Sequence, residues 1–420
     1  PPTAFGFLAP QAAAIEIEGC RLAPPEGESL SLLGGHLYIT EGGWLRAVSG
    51  RINLAATGDA QRLRLTANSF QLDSAHELGD ITIEGHASID TGKQGAGDIY
   101  IRGGQFILKD SEIIANTTDR PGGVIALGVK SFFLQEATID SSALGTEAGG
   151  QVVIQVENQA TLTQNSQIVT AARSSIEQNA GNAGNINLTA YCLTLEDNSA
   201  ISTTTFGSGR GGSIALDIED TLQLHNQASI SAGSHNGIGD AGSITINAQQ
   251  FTMMDSAIST ATDRADGGNI IIALANRLAL NQSQITTAVS GGLGNGGNIA
   301  LGSPQFLKLE DSKISASARG GNGGLVLIIS GLPMERLNST LEAASEEGLD
   351  GQIEIDIPHV DINALPTNFL DASLLIKKHC SARFETPLSR FIVVGRDNLP
   401  HAPHDLQSYM PALCCSDANQ

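Results

Sequence analysis

The chain has 420 residues, of which 44 are acidic and 23 basic, so its formal net charge at pH 7 is −21. This acidity argues against binding to nucleic acid or to anionic lipid, because both partners are themselves negatively charged. The sequence contains no apolar run long enough for a transmembrane helix. Only 16% of the residues are charged, and small polar residues fill the positions between the apolar ones, as in many extracellular proteins.

Residues 1–94 have the least regular pattern, although short strand-like segments already occur in them. The stretches 30–39, 50–54 and 79–83 each place apolar residues at alternate positions, as in a strand with one buried face. We therefore expect short, irregular β-helical coils in this region, with the first coil beginning near residue 28.

Residues 95–365 repeat one short phrase: a glycine, any residue, and then two apolar residues at alternate positions. The glycines are 26 to 34 residues apart and lie at Gly97, Gly123, Gly150, Gly184, Gly212, Gly242, Gly268, Gly297, Gly324 and Gly351. A β-branched aliphatic residue stands two positions after each, at Ile99, Ile125, Val152, Ile186, Ile214, Ile244, Ile270, Ile299, Val326 and Ile353. A period of about 28 residues written in strand-forming residues predicts a solenoid.

One repeat, residues 184–211, shows what each coil contains. Apolar residues alternate in 186–188, 193–195 and 200–203, and the turn-forming run Asp-Asn-Ser at 197–199 separates the last two. Three strands and three bends per repeat predict one coil of a right-handed parallel β-helix. The expected fold is all-β and pectin-lyase-like, with about 11–13 coils whose strands stack about 4.8 Å apart.

Other repetitive folds fit the sequence less well. A transmembrane barrel requires girdles of aromatic residues, but aromatic residues make up only 4% of this chain. Leucine-rich repeats require helical segments, and no helical period is sustained before residue 366. The calcium-binding nonapeptide roll requires a glycine-rich motif that never occurs here.

The pattern changes after Pro366, and residues 366–420 are predicted to form a C-terminal cap and a loose tail. Residues 368–379 predict a short helix, and residues 391–394 predict a last strand. We expect residues 366–398 to cover the open end of the solenoid, because an uncovered last coil exposes both core and strand edge. His401 and His404 have a spacing found in metal sites, but a proline-rich tail is the simpler interpretation.

The five cysteines give no metal or redox motif, because no CxxC pair is present. Cys192 is expected to face outward or to occupy a corner, since it precedes the inward-facing Leu193. Any disulfide pairing remains open among Cys20, Cys192, Cys380, Cys414 and Cys415.

The outer surface offers few candidate sites, and no catalytic, cofactor or metal residue is assigned. Asp217, Glu219 and Asp220 form the densest carboxylate cluster, but no basic residue can be placed opposite them, so solvated strand residues are the simpler interpretation. Trp44 and Tyr38 are close enough in sequence to stack together on a sugar or to close the N-terminal end of the core. We favour the closure.

A ladder of polar residues should occupy the same corner in successive coils, at Asp110, Glu136, Asn165, Asn198, Asp255, Gln282 and Asp311. Stacked amides share hydrogen bonds along such a ladder, whereas neighbouring carboxylates repel unless water or a cation lies between them. A structural ladder is the favoured interpretation, and a calcium site is the minority hypothesis.

Both ends of the chain resemble filamentous haemagglutinin-like proteins of the cyanobacterial type. The resemblance lies in residues 4–10, 15–19, 30–35, 50–54, 365–373, 380 and 391–400. It implies a passenger of two-partner secretion, exported through an outer-membrane transporter. The N-terminal secretion domain of the family is missing from this sequence, so we expect the C-terminal β-helix portion, either as a fragment or as the product of a truncated gene.

The sequence thus predicts a secreted or surface-displayed adhesin that is not an enzyme and that recognises a cell-surface or polysaccharide ligand. An alternative is a polysaccharide-active, pectate-lyase-like enzyme on the same scaffold, which would need a groove with three or more carboxylates and an Arg or Lys. A further alternative is a structural fibre spacer without a ligand.

Overall fold

A computed structural model describes residues 4–6, 12–58, 62–65, 70–72, 78–173, 180–235, 237–302 and 304–357. No residue in these ranges is helical, and in this part of the chain no helix could span a membrane. The chain divides into two units, Pro1–Pro358 and His359–Gln420, and the second lies outside the described residues. So do the predicted cap and helix of the tail, His401, His404, Cys380, Cys414 and Cys415.

The described residues form 33 strands joined by turns, bends and short irregular segments. In chain order they are β1 (Ala4–Gly6), β2 (Ile15–Glu18), β3 (Arg21–Leu22), β4 (Ser29–Gly34), β5 (Leu37–Thr40), β6 (Trp44–Arg46), β7 (Arg51–Ala56), β8 (Arg62–Leu65), β9 (Phe70–Leu72), β10 (Ile81–Glu84), β11 (Ser88–Asp90), β12 (Asp98–Lys109), β13 (Glu112–Ile114), β14 (Val124–Gln135), β15 (Thr138–Asp140), β16 (Gln151–Val156), β17 (Gln159–Thr163), β18 (Gln167–Val169), β19 (Ile186–Leu195), β20 (Ala200–Ser202), β21 (Ile214–His225), β22 (Ser229–Ser231), β23 (Ile244–Met254), β24 (Ala257–Ser259), β25 (Ile270–Asn281), β26 (Gln284–Thr286), β27 (Ile299–Gly302), β28 (Phe306–Glu310), β29 (Lys313–Ser315), β30 (Leu325–Ile329), β31 (Glu335–Leu337), β32 (Thr340–Glu342) and β33 (Gln352–Asp356).

These strands build a right-handed parallel β-helix, as the sequence predicts. Sheet 1 has 18 strands, including long strands such as β12 and β14 that bend from one side of a coil to the next. Sheet 2 has 12 short strands, from β3 to β32. We number the coils 1 to 12 by the successive strands of sheet 2. A third column of single parallel bridges, running from Lys93 to Ser345, completes each regular coil.

The register of sheet 1 is the one that the repeated phrase predicts. The β-branched residue after each glycine pairs with its equivalent in the next coil, from Ile99 with Ile125 through to Val326 with Ile353. All members of this column from Ile99 to Val326 are buried. Each strand therefore contributes one face to a single continuous core, and the other face points to solvent.

The repeated glycines are required by close backbone contact between coils rather than by a left-handed conformation. A Cβ atom added to any of the ten would overlap the carbonyl oxygen of the equivalent glycine in the preceding coil. At Gly242 that atom would overlap the carbonyl oxygen of Gly212 and lie 2.6 Å from its carbonyl carbon. The Gly242 N–H also donates to the Ala232 carbonyl oxygen at 2.7 Å, which closes the coil. Only a residue without a side chain fits this column.

The corner between sheets 1 and 2 does use the left-handed backbone conformation. Every residue of the predicted polar ladder has a positive φ, between 46° at Asp110 and 63° at Asn198. Asn and Asp tolerate this conformation better than other residues with side chains. The backbone of the corner therefore explains why Asn or Asp occupies five of the seven ladder positions.

A second ladder, made of serines, lies just inside the same corner. The serine hydroxyl oxygens accept backbone N–H groups of the preceding coil at 3.0 to 3.3 Å, at Ser111, Ser166, Ser199, Ser283, Ser312 and Ser339. All six serines are buried. They satisfy backbone donors that the turn removes from the sheet, and such donors are costly to leave unpaired in a core.

The left-handed corner predicts a specific mutational result. Asn198→Val is expected to lower the free energy of unfolding by about 1–2 kcal/mol, because a β-branched side chain is strained at a φ of 63°. Asn198→Gly loses the same amide but fits the same φ, and should stay close to the wild type. Urea unfolding of both variants separates the two effects. Equal destabilisation by Val and Gly would show that the amide, and not the backbone, governs the corner.

The N-terminal coils differ from prediction in two ways. The first coil begins with β2 at Ile15 and not near residue 28, since β2 pairs in parallel with β5. In addition, β1, β8 and β9 form a separate antiparallel sheet that the repeats did not predict. Strand β2 is one short strand with a single well-buried residue, Ile17, which leaves little periodic signal in the sequence.

Candidate functional site

The polar ladder makes the amide contact that stacking predicts. Asn198 Nδ2 donates to Asn165 Oδ1 at 2.7 Å, one coil away. Beside it, Asn226 Nδ2 donates to Asp197 Oδ1 at 3.1 Å. These contacts tie successive coils together at an exposed corner, which is a structural role.

The acidic part of the ladder lies beside a depression of about 340 Å³, whose lining includes His86, Asp110, Glu112 and Glu136. The Asp110 carboxylate lies 3.1 Å from His86 Nδ1, so a histidine faces it at that step. Within the described ranges, no group of three or more His, Cys, Asp or Glu side chains is arranged to hold a metal ion. The described part of the ladder therefore provides no set of ligands for the calcium site considered above.

Asp217, Glu219 and Asp220 do not converge on a pocket. Asp217 and Glu219 are exposed on β21, on the face opposite the buried Ile218. The Asp217 carboxylate accepts a bond from Asn247 Nδ2 at 3.3 Å, and Asp220 accepts one from the hydroxyl of the adjacent Thr221 at 3.0 Å. These contacts agree with solvated strand residues.

Trp44 and Tyr38 do not close the core, and this prediction was wrong. Their neighbours Leu45, Leu37 and Ile39 fill the interior instead, because side chains alternate between the faces of a strand. The two aromatic residues also belong to different sheets, since Trp44 lies in β6 and Tyr38 in β5.

The outward-facing ring of Trp44 carries two guanidinium groups. Arg21 lies 3.4 Å and Arg46 5.2 Å from the ring centroid. Such cation–π contacts stabilise the outer face of coils 1 and 2. They also occupy the ring that a sugar would need for stacking.

Cys192 is buried, although an outward position was one of the two expected for it. It follows a break in register after Ala190 where β19 bends, and it is not part of the core cluster that contains Leu193. The corner alternative is therefore the correct one. Cys20 is exposed and forms no disulfide with any described residue.

The outer face of sheet 2 changes character along the solenoid. In coils 7 to 11 one outward column holds only small hydroxyl residues, at Ser202, Ser231, Ser259, Thr286 and Ser315. In coils 2 to 6 the same column holds larger and charged residues, at Arg46, Asp90, Ile114, Asp140 and Val169. The half in coils 2 to 6 is therefore the one in which charged and apolar side chains lie side by side.

A pocket of about 380 Å³ lies in this charged half, over coils 3 to 5, and we call it the Asp90 pocket. Its lining residues are Asp90, Gly92, Lys93, Gln94, Ile114, Asn116, Thr118 and Leu144. Its volume lies within the range of small-molecule binding sites. The Leu144 side chain is 41% exposed, so the pocket combines an apolar surface with carboxylate, amide and hydroxyl groups.

Both oxygens of the Asp90 carboxylate have partners within the protein. Oδ1 accepts the Gly92 N–H at 2.7 Å, and Oδ2 lies 3.1 Å from Arg46 Nε. Burial raises the pKa of Asp90, and the Gly92 N–H and the Arg46 charge oppose this increase. The carboxylate is thereby held in one orientation at the edge of the pocket.

The neighbouring coils hold a second network. Asn116 Nδ2 donates to Asp140 Oδ2 at 3.1 Å, and Asn116 Oδ1 accepts the Ser142 N–H at 2.7 Å. Arg173 Nη1 lies 3.9 Å from Asp140 Oδ2. The Asn116 amide is therefore fixed by two contacts, and each of its polar atoms keeps capacity for a further hydrogen bond.

The sequence did not reveal the Asp90 pocket. Its residues come from three coils, and Asp90 and Leu144 are more than 50 positions apart in the chain. Aligning the repeats by the buried isoleucine of each short strand of sheet 2, at Ile89, Ile113 and Ile139, would have placed Asp90, Ile114 and Asp140 in one outward column. This shared position is the signal of the pocket that the sequence contains.

His225, on the outer corner of β21, gives a pH-dependent prediction. Burial lowers the pKa of His225 below its ordinary value of 6.5, although the nearby Glu196 opposes this shift. As the pH falls from 6.5 towards the native pKa, the unfolded state binds the proton first, so the free energy of unfolding decreases. His225→Gln should remove this component of the pH dependence. Urea unfolding between pH 7 and 5 measures it, and identical slopes for both proteins would contradict the assignment.

Comparison of the chain with family models, with characterised proteins and with solved structures finds no significant match.

Proposed function

We propose that this chain is a secreted or surface-displayed, adhesin-like β-solenoid that attaches cells or surfaces by binding polysaccharide without chemical turnover. The observation that carries the proposal is the outer face of sheet 2. Its regular hydroxyl column in coils 7 to 11, at Ser202, Ser231, Ser259, Thr286 and Ser315, lies on the same face as the Asp90 pocket in coils 3 to 5, with coil 6 and its buried Val169 between them. Hydroxyl, amide and carboxylate groups at fixed spacing suit a ligand that is itself a repeating array of hydroxyl groups.

The route of export also belongs to this proposal. The resemblance of the chain ends to two-partner secretion passengers supports export through an outer-membrane transporter. A parallel β-helix suits this route, because each new coil pairs with the one before it and the chain can fold progressively. The net charge of −21 also favours solubility outside the cell.

A binding assay tests the proposal. The purified chain should be retained on whole cells and on immobilised polysaccharides, with and without calcium. Retention on at least one surface supports an adhesin. Retention that depends on calcium would support a cation site at the acidic residues of the polar ladder. Retention on none of them would overturn the proposal in favour of a structural spacer.

A polysaccharide-active enzyme is the second candidate, because Asp90, Glu112 and Asp140 share the outer face of sheet 2 with Arg46, and Lys93 lines the pocket beside them. Asp90 and Asp140 are two coils apart, a separation of about 10 Å at the strand spacing of a β-sheet, which is near that of inverting glycosidases. The internal contacts of both carboxylates favour binding instead. Asp90 Oδ1 already accepts the Gly92 N–H and Oδ2 is ion-paired with Arg46, which disfavours proton transfer to a substrate.

A further inference from the structure

We propose that the Asp90 pocket is a saccharide-binding subsite that takes one or two rings of a neutral polysaccharide. This inference rests on the proposed function and assigns the adhesive contact to a defined place on coils 3 to 5. The pocket has a volume of about 380 Å³ and is lined by the apolar side chains of Ile114 and Leu144 together with polar groups.

The apolar side chains supply the first part of the binding site. A sugar ring has a face of C–H groups, and burial of that face against Ile114 and Leu144 removes apolar surface from water. Leu144 lies on a loop and is 41% exposed, so a bound sugar ring can cover apolar surface that the fold leaves in contact with water. Val169 occupies the Ile114 column two coils further on, but it is buried and cannot contribute.

The polar groups of the Asp90 pocket orient the bound sugar ring. The Asp90 oxygens each have one internal partner, and a carboxylate oxygen can accept a further bond, such as one from a sugar hydroxyl. Asn116 is held by Asp140 and Ser142, so its amide presents a donor and an acceptor at no further cost in side-chain entropy. Preorganised groups of this kind favour binding because little order is lost on association.

The charge of the site indicates a neutral ligand. Lys93, the cation of the pocket lining, lies 2.8 Å from Glu26 Oε2, so its charge is already paired. Asp90 is paired with Arg46. The chain as a whole carries −21 charges, which repel uronic-acid and sulfated polysaccharides. A neutral hexose polymer fits both the pocket and the surrounding field.

Saturation-transfer NMR and calorimetric titration with cellotriose, maltotriose and mannotriose test this assignment, with oligogalacturonate as the anionic comparison. At least one neutral trisaccharide should bind the full chain with a Kd of about 1 mM. Leu144→Ser and Thr118→Trp should each weaken that binding by about tenfold or more, the first by removing the apolar surface and the second by filling the pocket. Preference for oligogalacturonate would overturn the inference.

Ile271→Ser is the matched control, because Ile271 is 48% exposed on the outer face of sheet 1. It makes the same kind of change outside the pocket and should leave the affinity unchanged. If the wild type adheres to cells and Leu144→Ser and Thr118→Trp adhere equally well, the subsite is wrong and the adhesin proposal stands. If the wild type adheres to nothing, the adhesin proposal itself fails.

Discussion

Gly242→Ala is expected to destabilise the solenoid by about 3 kcal/mol or more, at the upper end of the usual cost of overpacking. The added methyl group would overlap the carbonyl oxygen of Gly212 in the preceding coil. The contact is between two backbones in a stack of coils, so neither side can move without disturbing its other neighbours. We therefore expect coils 8 and 9 to separate locally, with faster hydrogen exchange at the amides of β21 and β23.

The control for this substitution is Gly302→Ala. A Cβ at Gly302 would lie 3.8 Å from the Ile272 carbonyl oxygen, which is ordinary van der Waals contact. This variant should be neutral, or more stable by up to about 1 kcal/mol because alanine reduces the entropy of the unfolded chain. If Gly242→Ala is as stable as Gly302→Ala, the stacked-glycine account of the repeat is wrong.

Phe132→Ala is expected to cost about 3–5 kcal/mol, the usual cost of removing a buried phenylalanine side chain. Phe132 is 1% exposed and stacks on Phe106 of the preceding coil, with ring centroids 5.7 Å apart. Truncation leaves a cavity that the rigid strands on either side cannot fill. Urea unfolding measures this loss. Because long repeat arrays need not unfold in one step, hydrogen exchange at the amides of β12 and β14 should be measured as well.

The adjacent residue provides the control. Phe133 lies on the outer face of the same strand and is half-buried, so Phe133→Ala should cost only about 1 kcal/mol. The pair tests the alternation of faces in β14 directly. An equal loss of stability at the two positions, or a greater loss at Phe133, would contradict the assignment of Phe132 to the core face and of Phe133 to the outer face.

The repeat made most of the fold predictable from the sequence. The glycine and the β-branched residue two positions later fixed the register, since Ile186, Ile214 and Ile244 pair in consecutive coils. The physical reason is that a solenoid applies the same steric and hydrophobic demands at every turn. Where the sequence does not repeat, the prediction failed: it missed β2 and the antiparallel sheet of β1, β8 and β9.

The candidate site was much less predictable. Trp44 was expected to close the N-terminal end of the core, whereas the strand alternation that buries Leu45 turns Trp44 outward. The polar ladder was located correctly, but its cause is a backbone conformation that composition does not reveal. The Asp90 pocket depends on side chains from three coils, so it becomes visible only when the coils are stacked.

The adhesin and enzyme interpretations differ in one consequence, which is whether a bound polysaccharide is cleaved. The internal partners of Asp90 and Asp140 hold both carboxylates as fixed hydrogen-bond acceptors. An enzyme would instead need one of them to give up a proton and the other to attack or to activate water. Binding without cleavage is therefore the central claim.

The most direct test is to incubate the protein with each polysaccharide that retains it and to measure the release of reducing and unsaturated sugar ends over time. We predict retention with no release above the protein-free control, at pH values from 5 to 8 and with or without calcium. Release that depends on the protein and is abolished by Asp90→Asn or Asp140→Asn would contradict this account and identify a polysaccharide-cleaving enzyme.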